Sequence, residues 1–286
     1  MEPTLSRQLW HSLESLNCVA YFSPEPQEAA ISLGLKGFWM GYFAFRAAPL
    51  GAVPAGVVEA LFYGFHPSRV GRAIPDAWGY CDPPVMVEAR SSAAADALRR
   101  LLKPDVAEDL AGWAVPSLEI AIEAADVAAR PIFAANREIQ RPDDPVAVLW
   151  NAATTLREHR GDAHVSVLSE AGLTGCESLV LFAVCRHLPG DFYVDRRGWS
   201  KEEWDDTTHG LTQRGLLCPD GRASTKALEL HAQIERRTDE LAIRPYEGLG
   251  EERVLALLSE LDGPWRRIAS SGEIPFPNPM GLPSPQ

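Results

Sequence analysis

The sequence predicts a mainly α-helical protein built from two related halves, the second of which carries a small β-hairpin. Three observations lead there. Apolar residues recur at helical spacing through much of the chain, a set of landmarks occurs twice in the same order, and one strong turn signal stands late in the second set. At 286 residues there is material for two ordinary cores or one large one. A hydrophobic share of 46% beside 23% charged residues is that of a globular protein.

The opening "MEPTLSRQLWHSLESLN" sets Leu5, Leu9, Trp10, Leu13 and Leu16 on one helical face. It lacks a basic segment, apolar run and cleavage site in succession, so it is expected to be a structural helix and not a signal peptide. No stretch approaches the run of about 18 apolar residues that would mark a membrane span. The five cysteines are scattered and odd in number, without a CxxC pair, which points to no disulfide framework and to a reducing cytoplasm.

The repeat is read from four landmarks. "FWMGYFAFRAAPLG" carries Trp39 and Arg46, and "LWNAATTLREHRGD" carries Trp150 and Arg157 at the same separation. Pro67 and Trp78 in the first half answer to Pro189 and Trp204 in the second. Two polar helical stretches follow, "PVMVEARSSAAADALRRLL" and "STKALELHAQIERRTDELA", and each half ends on a proline-punctuated segment. The offset drifts from 111 to about 143, so the second half carries insertions. A division into residues 1–143 and 144–286 follows.

The second half reads element by element. Thr174 opens a helix in "LTGCESLVLFAV", "PGDFYVDRRGW" gives a short helix and turn, and Ser200 caps a helix over 200–217. "LLCPDGRAS" is a hairpin signal between short strands, and a long helix over 225–242 follows. Helix, short helix, helix, hairpin, long helix is the order of a winged helix-turn-helix. In the first half no glycine turn separates Trp78 from the helix at 84–102, so its wing is expected to be lost.

Residues 173–242 resemble the winged-helix core of MarR-type regulators, with "LTQRGLLCPDGRASTKAL" similar to their recognition-helix end, wing and following helix. The whole chain resembles an actinobacterial family of largely uncharacterised MarR-like proteins through "GFWMGYFAFRAAPLG", "FHPSRVGRAIPDAW", "LREHRGDAH", "RGWSKEEW" and "FPNPMGLP". That resemblance implies a fold and an ancestry: MarR-type proteins are dimers with a ligand cleft between dimer helices and winged domain. A duplicated chain would be such a dimer fused into one monomeric pseudo-dimer. It brings no chemistry to assign to particular residues.

Charge argues against DNA as the main partner. The chain carries 39 acids against 27 bases, a net charge of −12. The expected recognition helix holds Lys201 and Arg214 against Glu202, Glu203, Asp205 and Asp206, where phosphates and base edges call for cations and amides. Arg222 in the wing is the one conventional phosphate contact.

The candidate site centres on "LREHRGDAHV". Three readings stand side by side. Gly161 could mark a solvated bend between helices. A bend could bring His159, His164 and Asp162 around a metal, although no HExxH or CxxC signature supports it. A His–Asp pair with flanking arginines could hold an anion or act as an acid–base group. An integrin-type role for Arg160-Gly161-Asp162 is discounted in a cytoplasmic protein. The aromatic segments "GFWMGYFAFR" and "ALFYGFHP" supply either core or a pocket in which Tyr42, Tyr63 and His66 orient a ligand. Arg46 and Arg157, at equivalent places near a pseudo-twofold, would repel unless a carboxylate such as Glu158 or a bound anion lay between them. The tail "IPFPNPMGLPSPQ" is too proline-rich for a helix and is expected to run extended. It is either solvated, the default for such an end, or, by its match to 129–142, packed on the body through Phe276 and Met280 with Asn278 as a cap or cleft contact.

The favoured reading is a binding protein for a small organic, anionic molecule held between the halves by Arg46, Arg157, His159, Asp162, His164, Tyr42, Tyr63 and His66. The alternatives are a MarR-like DNA-binding regulator and an enzyme of specialised metabolism using the His/Asp/Arg cluster. No cofactor is identified, no metal is assigned and no membrane is involved.

Overall fold

The computed structural model describes residues 1–284. Its helices are α1 (Thr4–Asn17), α2 (Val19–Phe22), α3 (Pro24–Ser32), α4 (Gly37–Ala47), α5 (Ala55–Leu61), α6 (Pro67–Gly71), α7 (Pro83–Leu102), α8 (Pro104–Ala124) and α9 (Pro131–Arg137), then α10 (Pro145–Glu170), α11 (Gly175–Cys185), α12 (Val194–Arg197), α13 (Lys201–Gln213), α14 (Thr225–Ala242) and α15 (Glu251–Ala269). Proline begins α3, α6, α7, α8, α9 and α10, where its fixed φ suits the helix and its missing N–H costs nothing. Thr174 and Ser200 each close a capping box, with Glu177 and Glu203 as the reciprocal partners, so α11 and α13 start where the sequence places them.

Three packed regions result. The central one joins α1, α7, α8, the start of α10 and α15, with Leu9, Leu13, Leu98, Leu118 and Trp150 fully buried. It draws on both halves of the chain. A first lobe of α3–α6 and the start of α7 packs around Phe43, Val58 and Ile74. A second lobe joins the end of α10 to α11, α13 and α14 around Val180, Trp204 and Leu211. Each fully buried leucine or phenylalanine is worth about 1.5–3 kcal/mol over exposure, so these regions carry the fold.

Helix α10 is the axle. Its 26 residues touch α1, α7, α8, α9 and α14, and α11 leaves it at 99° after Gly172. The expected bend at Gly161 does not occur, because the helix runs unbroken through it. A Cβ there would lie 3.2 Å from Glu158 Oε2 and 3.4 Å from Arg157 Nη1. Gly161 gives room to an ion pair; it does not turn the chain.

Three further expectations are corrected. The wing is a tight turn, not a pair of strands: Leu217 and Ala223 form a single antiparallel bridge, and no strand occurs among the described residues. The bridge's hydrogen bonds run from Ser224 N to the Leu216 carbonyl at 3.0 Å and from Cys218 N to the Arg222 carbonyl at 2.8 Å. Gly221 N turns back to the Cys218 carbonyl on one side, and α14 begins at Thr225 on the other. The helix expected over 200–217 ends at Gln213. Trp78 lies in a 3-10 turn, whereas Trp204 lies in the first turn of α13, so the two do not occupy like elements. In the first half only Tyr80–Asp82 separate that turn from α7, with no wing between. The tail is packed and not solvated: Asn278 is buried and bridges its own turn to Leu282, while Phe276 and Met280 lie on the central region.

The lobes grip each other through residues 63–66. Trp199 Nε1 donates to the Gly64 carbonyl at 3.0 Å, and the Arg197 carbonyl accepts from His66 N at 2.9 Å. Gly175 at the start of α11 lies directly under the Tyr63 carbonyl, with no space for a Cβ. Gly175→Ala is therefore expected to lower unfolding free energy by about 1–3 kcal/mol through overpacking, read as a lower urea midpoint at unchanged slope. A change below about 0.5 kcal/mol would contradict this contact.

Candidate functional site

On α10, Arg157 and Glu158 face the first lobe. Arg46, in the last turn of α4, donates Nε to Glu158 Oε1 at 2.8 Å and Nη2 to Oε2 at 3.0 Å. Arg157 donates Nη1 to Glu158 Oε2 and Nε to Glu14 Oε2 of α1, both at 2.7 Å. Glu14 also accepts from Trp10 Nε1 at 3.2 Å, and Tyr42 OH accepts from Arg46 Nη1 at 3.3 Å. Both carboxylates are fully buried. Burial alone would push Glu158 up strongly, yet Arg157 and Arg46 outweigh it and hold the carboxyl at about 2. The two arginines do converge, and the anion between them is the protein's own.

The remaining residues of the cluster diverge. His159 turns to the edge of Phe133, with centroids 5.0 Å apart. Asp162 accepts from Ile132 N at 3.0 Å and Phe133 N at 2.9 Å, capping α9, and burial raises its carboxyl to about 7. Arg160 meets Asp239 at 2.7 Å, a carboxylate that Arg7 also binds. The His159–Asp162 pair does not form, and among the described residues no three His, Cys, Asp or Glu side chains gather for a metal. Neither the metal reading nor the acid–base reading of this stretch has its geometry.

His164 is different. Its Nδ1 lies 3.0 Å from Thr238 Oγ1, whose hydrogen goes to the Ile234 carbonyl at 2.8 Å. The hydroxyl must therefore accept, which places the proton on Nδ1 and leaves Nε2 as the acceptor of the neutral ring. Burial lowers the imidazole further, so it stays neutral at pH 7.

His164 lines a cavity of about 400 Å³ between the first lobe, α10, the second lobe and the tail. Tyr42, Tyr63, Arg46 and Arg157 line it too, so five of the eight expected residues meet there. Tyr63 turns its hydroxyl onto the Leu173 carbonyl. His159, Asp162 and His66 lie away from it. His66 instead accepts from Ser68 N through Nδ1 and donates Nε2 to Glu203 at 3.0 Å, tying the first lobe to the start of α13.

Sequence reasoning missed the opposite wall. Arg196 and Arg197, at the end of α12, make no ion pair among the described residues. Arg197 lies 4.4 Å over Phe65, donates to the Pro279 carbonyl at 2.9 Å and keeps a buried Nε without a partner. His231 and Glu235 of α14 complete the floor, and His231 Nε2 is likewise unpartnered. The doubled arginine of "VDRRGW" was the available signal, hidden because only the tail and the first lobe close the space around it.

The exposed side of α13 presents Lys201, Glu202, Asp205, Asp206, His209 and Gln213. Lys201 is bound to Asp205, Arg214 to Glu177 at 2.6 Å and Arg222 to Asp220 at 2.7 Å, so the nearby cations are already paired. Among the described residues no single helix is long and apolar enough to cross a membrane. A family model described as a helix-turn-helix family matches residues 6–275. No curated protein and no solved structure matches the chain.

His159 provides a pH test of this packing. Burial first, and the Arg130 charge second, lower its imidazole from 6.5 to about 3. Between those values the unfolded chain binds more protons, so stability rises with pH and is lost as pH falls below about 6.5. His159→Leu is expected to make the loss shallower by about 1 kcal/mol per pH unit between about pH 6 and 4, measured by urea unfolding. Equal slopes would place the wild-type ring in water.

Proposed function

We propose, for a chain that belongs to a helix-turn-helix family, that it binds a small organic anion in the cavity between its lobes, in a role derived from MarR-type ligand sensing. The observation that carries this reading is the unpaired Arg197 guanidinium, with a buried unpartnered Nε, on a cavity walled by aromatic rings. A buried donor without an acceptor is costly, and a ligand carboxylate would satisfy it. The aromatic wall of Phe38, Tyr42, Phe62 and Phe65 suits an apolar body, while His164 Nε2 can accept from a hydroxyl or amide. Descent of both halves from one subunit, divided near residue 143, rests on the matched Trp39–Arg46 and Trp150–Arg157 of α4 and α10, since Trp78 and Trp204 lie in unlike elements.

A second reading, a DNA-binding regulator acting through α13 and the turn after it, is favoured by family membership alone, since the helix-turn-helix is a DNA-reading element. The acidic exposed face of α13 and the net charge of −12 argue against it.

The test is calorimetric titration with a panel of amphipathic carboxylates and their neutral amides. A member of the panel should bind, its amide should bind less well, and Arg197→Gln should weaken the acid about tenfold or more, the loss of a charge-assisted hydrogen bond. No binding across the panel, or unchanged affinity in the variant, would contradict the proposal. Sub-micromolar duplex DNA affinity at about 150 mM salt would favour the regulator.

A further inference from the structure

We propose that a second, inner chamber behind Tyr42 binds a compact carboxylate of about benzoate's size, its charge met by Arg90. The chamber measures about 160 Å³ and is walled by Tyr21, Phe38, Tyr42, Phe45 and Trp150. It shares Tyr21, Phe38, Tyr42 and Arg46 with the larger cavity but extends from them towards α3 and α7, away from Arg197, and the inference stands independently of the larger cavity's ligand. A void of about 150 Å³ is enough to take a benzene ring. Ile31 and Phe38, both exposed, stand at its rim.

The case for an anion is a charge count. Arg46, Arg90 and Arg157 lie in this part of the interior, against Glu14 and Glu158. Both oxygens of Glu158 are taken by Arg46 and Arg157, and Glu14 is taken by Arg157. Arg90, 3% exposed, is left with neutral acceptors only: the Phe45 carbonyl at 2.7 Å and Asn136 Oδ1 at 2.8 Å. Its Nε is buried with no partner at all. Trp150 offers its ring face at 5.4 Å, which stabilises a cation without neutralising it. Of the other buried arginines, Arg160 has its carboxylate in Asp239, and Arg130 donates to the His159 and Leu241 carbonyls without leaving a buried nitrogen unpartnered.

A buried guanidinium remains charged at neutral pH, and a buried charge without a counter-charge is costly unless something supplies one. Arg90 lines a chamber large enough for that something. The aromatic walls select an apolar body over a bare inorganic anion, and the single excess charge selects a monoanion.

Calorimetry on the full chain with benzoate, benzamide and inorganic phosphate tests this. Benzoate should bind, with benzamide and phosphate at least tenfold weaker. Arg90→Met should cost benzoate tenfold or more, and Arg197→Gln in the outer cavity should leave it unchanged. Ala20→Phe, which fills the chamber and keeps Arg90, should weaken benzoate equally, and it decides the matter if Arg90→Met does not fold. Wild-type benzoate affinity in a folded Arg90→Met or in Ala20→Phe would overturn the proposal. So would a loss confined to Arg197→Gln, which would place benzoate in the outer cavity, and so would phosphate binding as tightly as benzoate.

Discussion

The Glu158 carboxylate, buried between Arg46 and Arg157, is the interaction on which the arrangement depends. It joins the last turn of α4 to the middle of α10, and through Arg157 it reaches Glu14 on α1. These three helices come from distant parts of the chain: α4 belongs to the first lobe, and α1 and the start of α10 to the central region. Hydrophobic burial brings them together without fixing their register, because apolar contact has no direction. A bidentate arginine–carboxylate pair does have direction. Removing one partner from such a buried network typically costs about 3–5 kcal/mol, since the remaining charge is left uncompensated.

The larger cavity opens beside this network. Arg46, held by Glu158, stacks 4.1 Å over the Phe62 ring of the first lobe, and Gly161 leaves room on α10 for the pair. Tyr42, Phe62 and Phe65 line the cavity on the side of the first lobe. The second lobe closes it from the other side through α11, α14 and the Arg197–Pro279 contact with the tail. Both the lobe contact at Tyr63–His66 and the acidic helix α13 are linked to this space: His66 bonds the same Glu203 that caps α13.

Local chemistry was legible in the sequence; long-range partners were legible only where symmetry pointed to them. Thr174, Ser200 and the prolines mark helix starts because caps and N1 prolines act within one turn. The equal spacing of Trp39–Arg46 and Trp150–Arg157 led to the expectation that either a carboxylate such as Glu158 or a bound anion lies between the arginines, and it is the carboxylate that stands there. Asp162 could not be read as the cap of α9, because that contact spans about thirty residues and depends on how α9 docks on α10. His66 was placed in the pocket by its aromatic neighbours, although its partner Glu203 is far along the chain. Gly161 was read through backbone freedom when its role is space. The turn at 217–223 carried a genuine hairpin signal, but one bridge is all that its few residues can form.

A double-mutant cycle on Arg46→Met and Glu158→Gln, measured by urea unfolding, tests directly whether the carboxylate couples the first lobe to α10. A coupling energy of at least about 1.5 kcal/mol is expected, the double variant losing far less than the two single losses combined. Losses that add within about 0.5 kcal/mol would mean that the two residues stabilise the protein independently, and that Glu158 does not join the lobes.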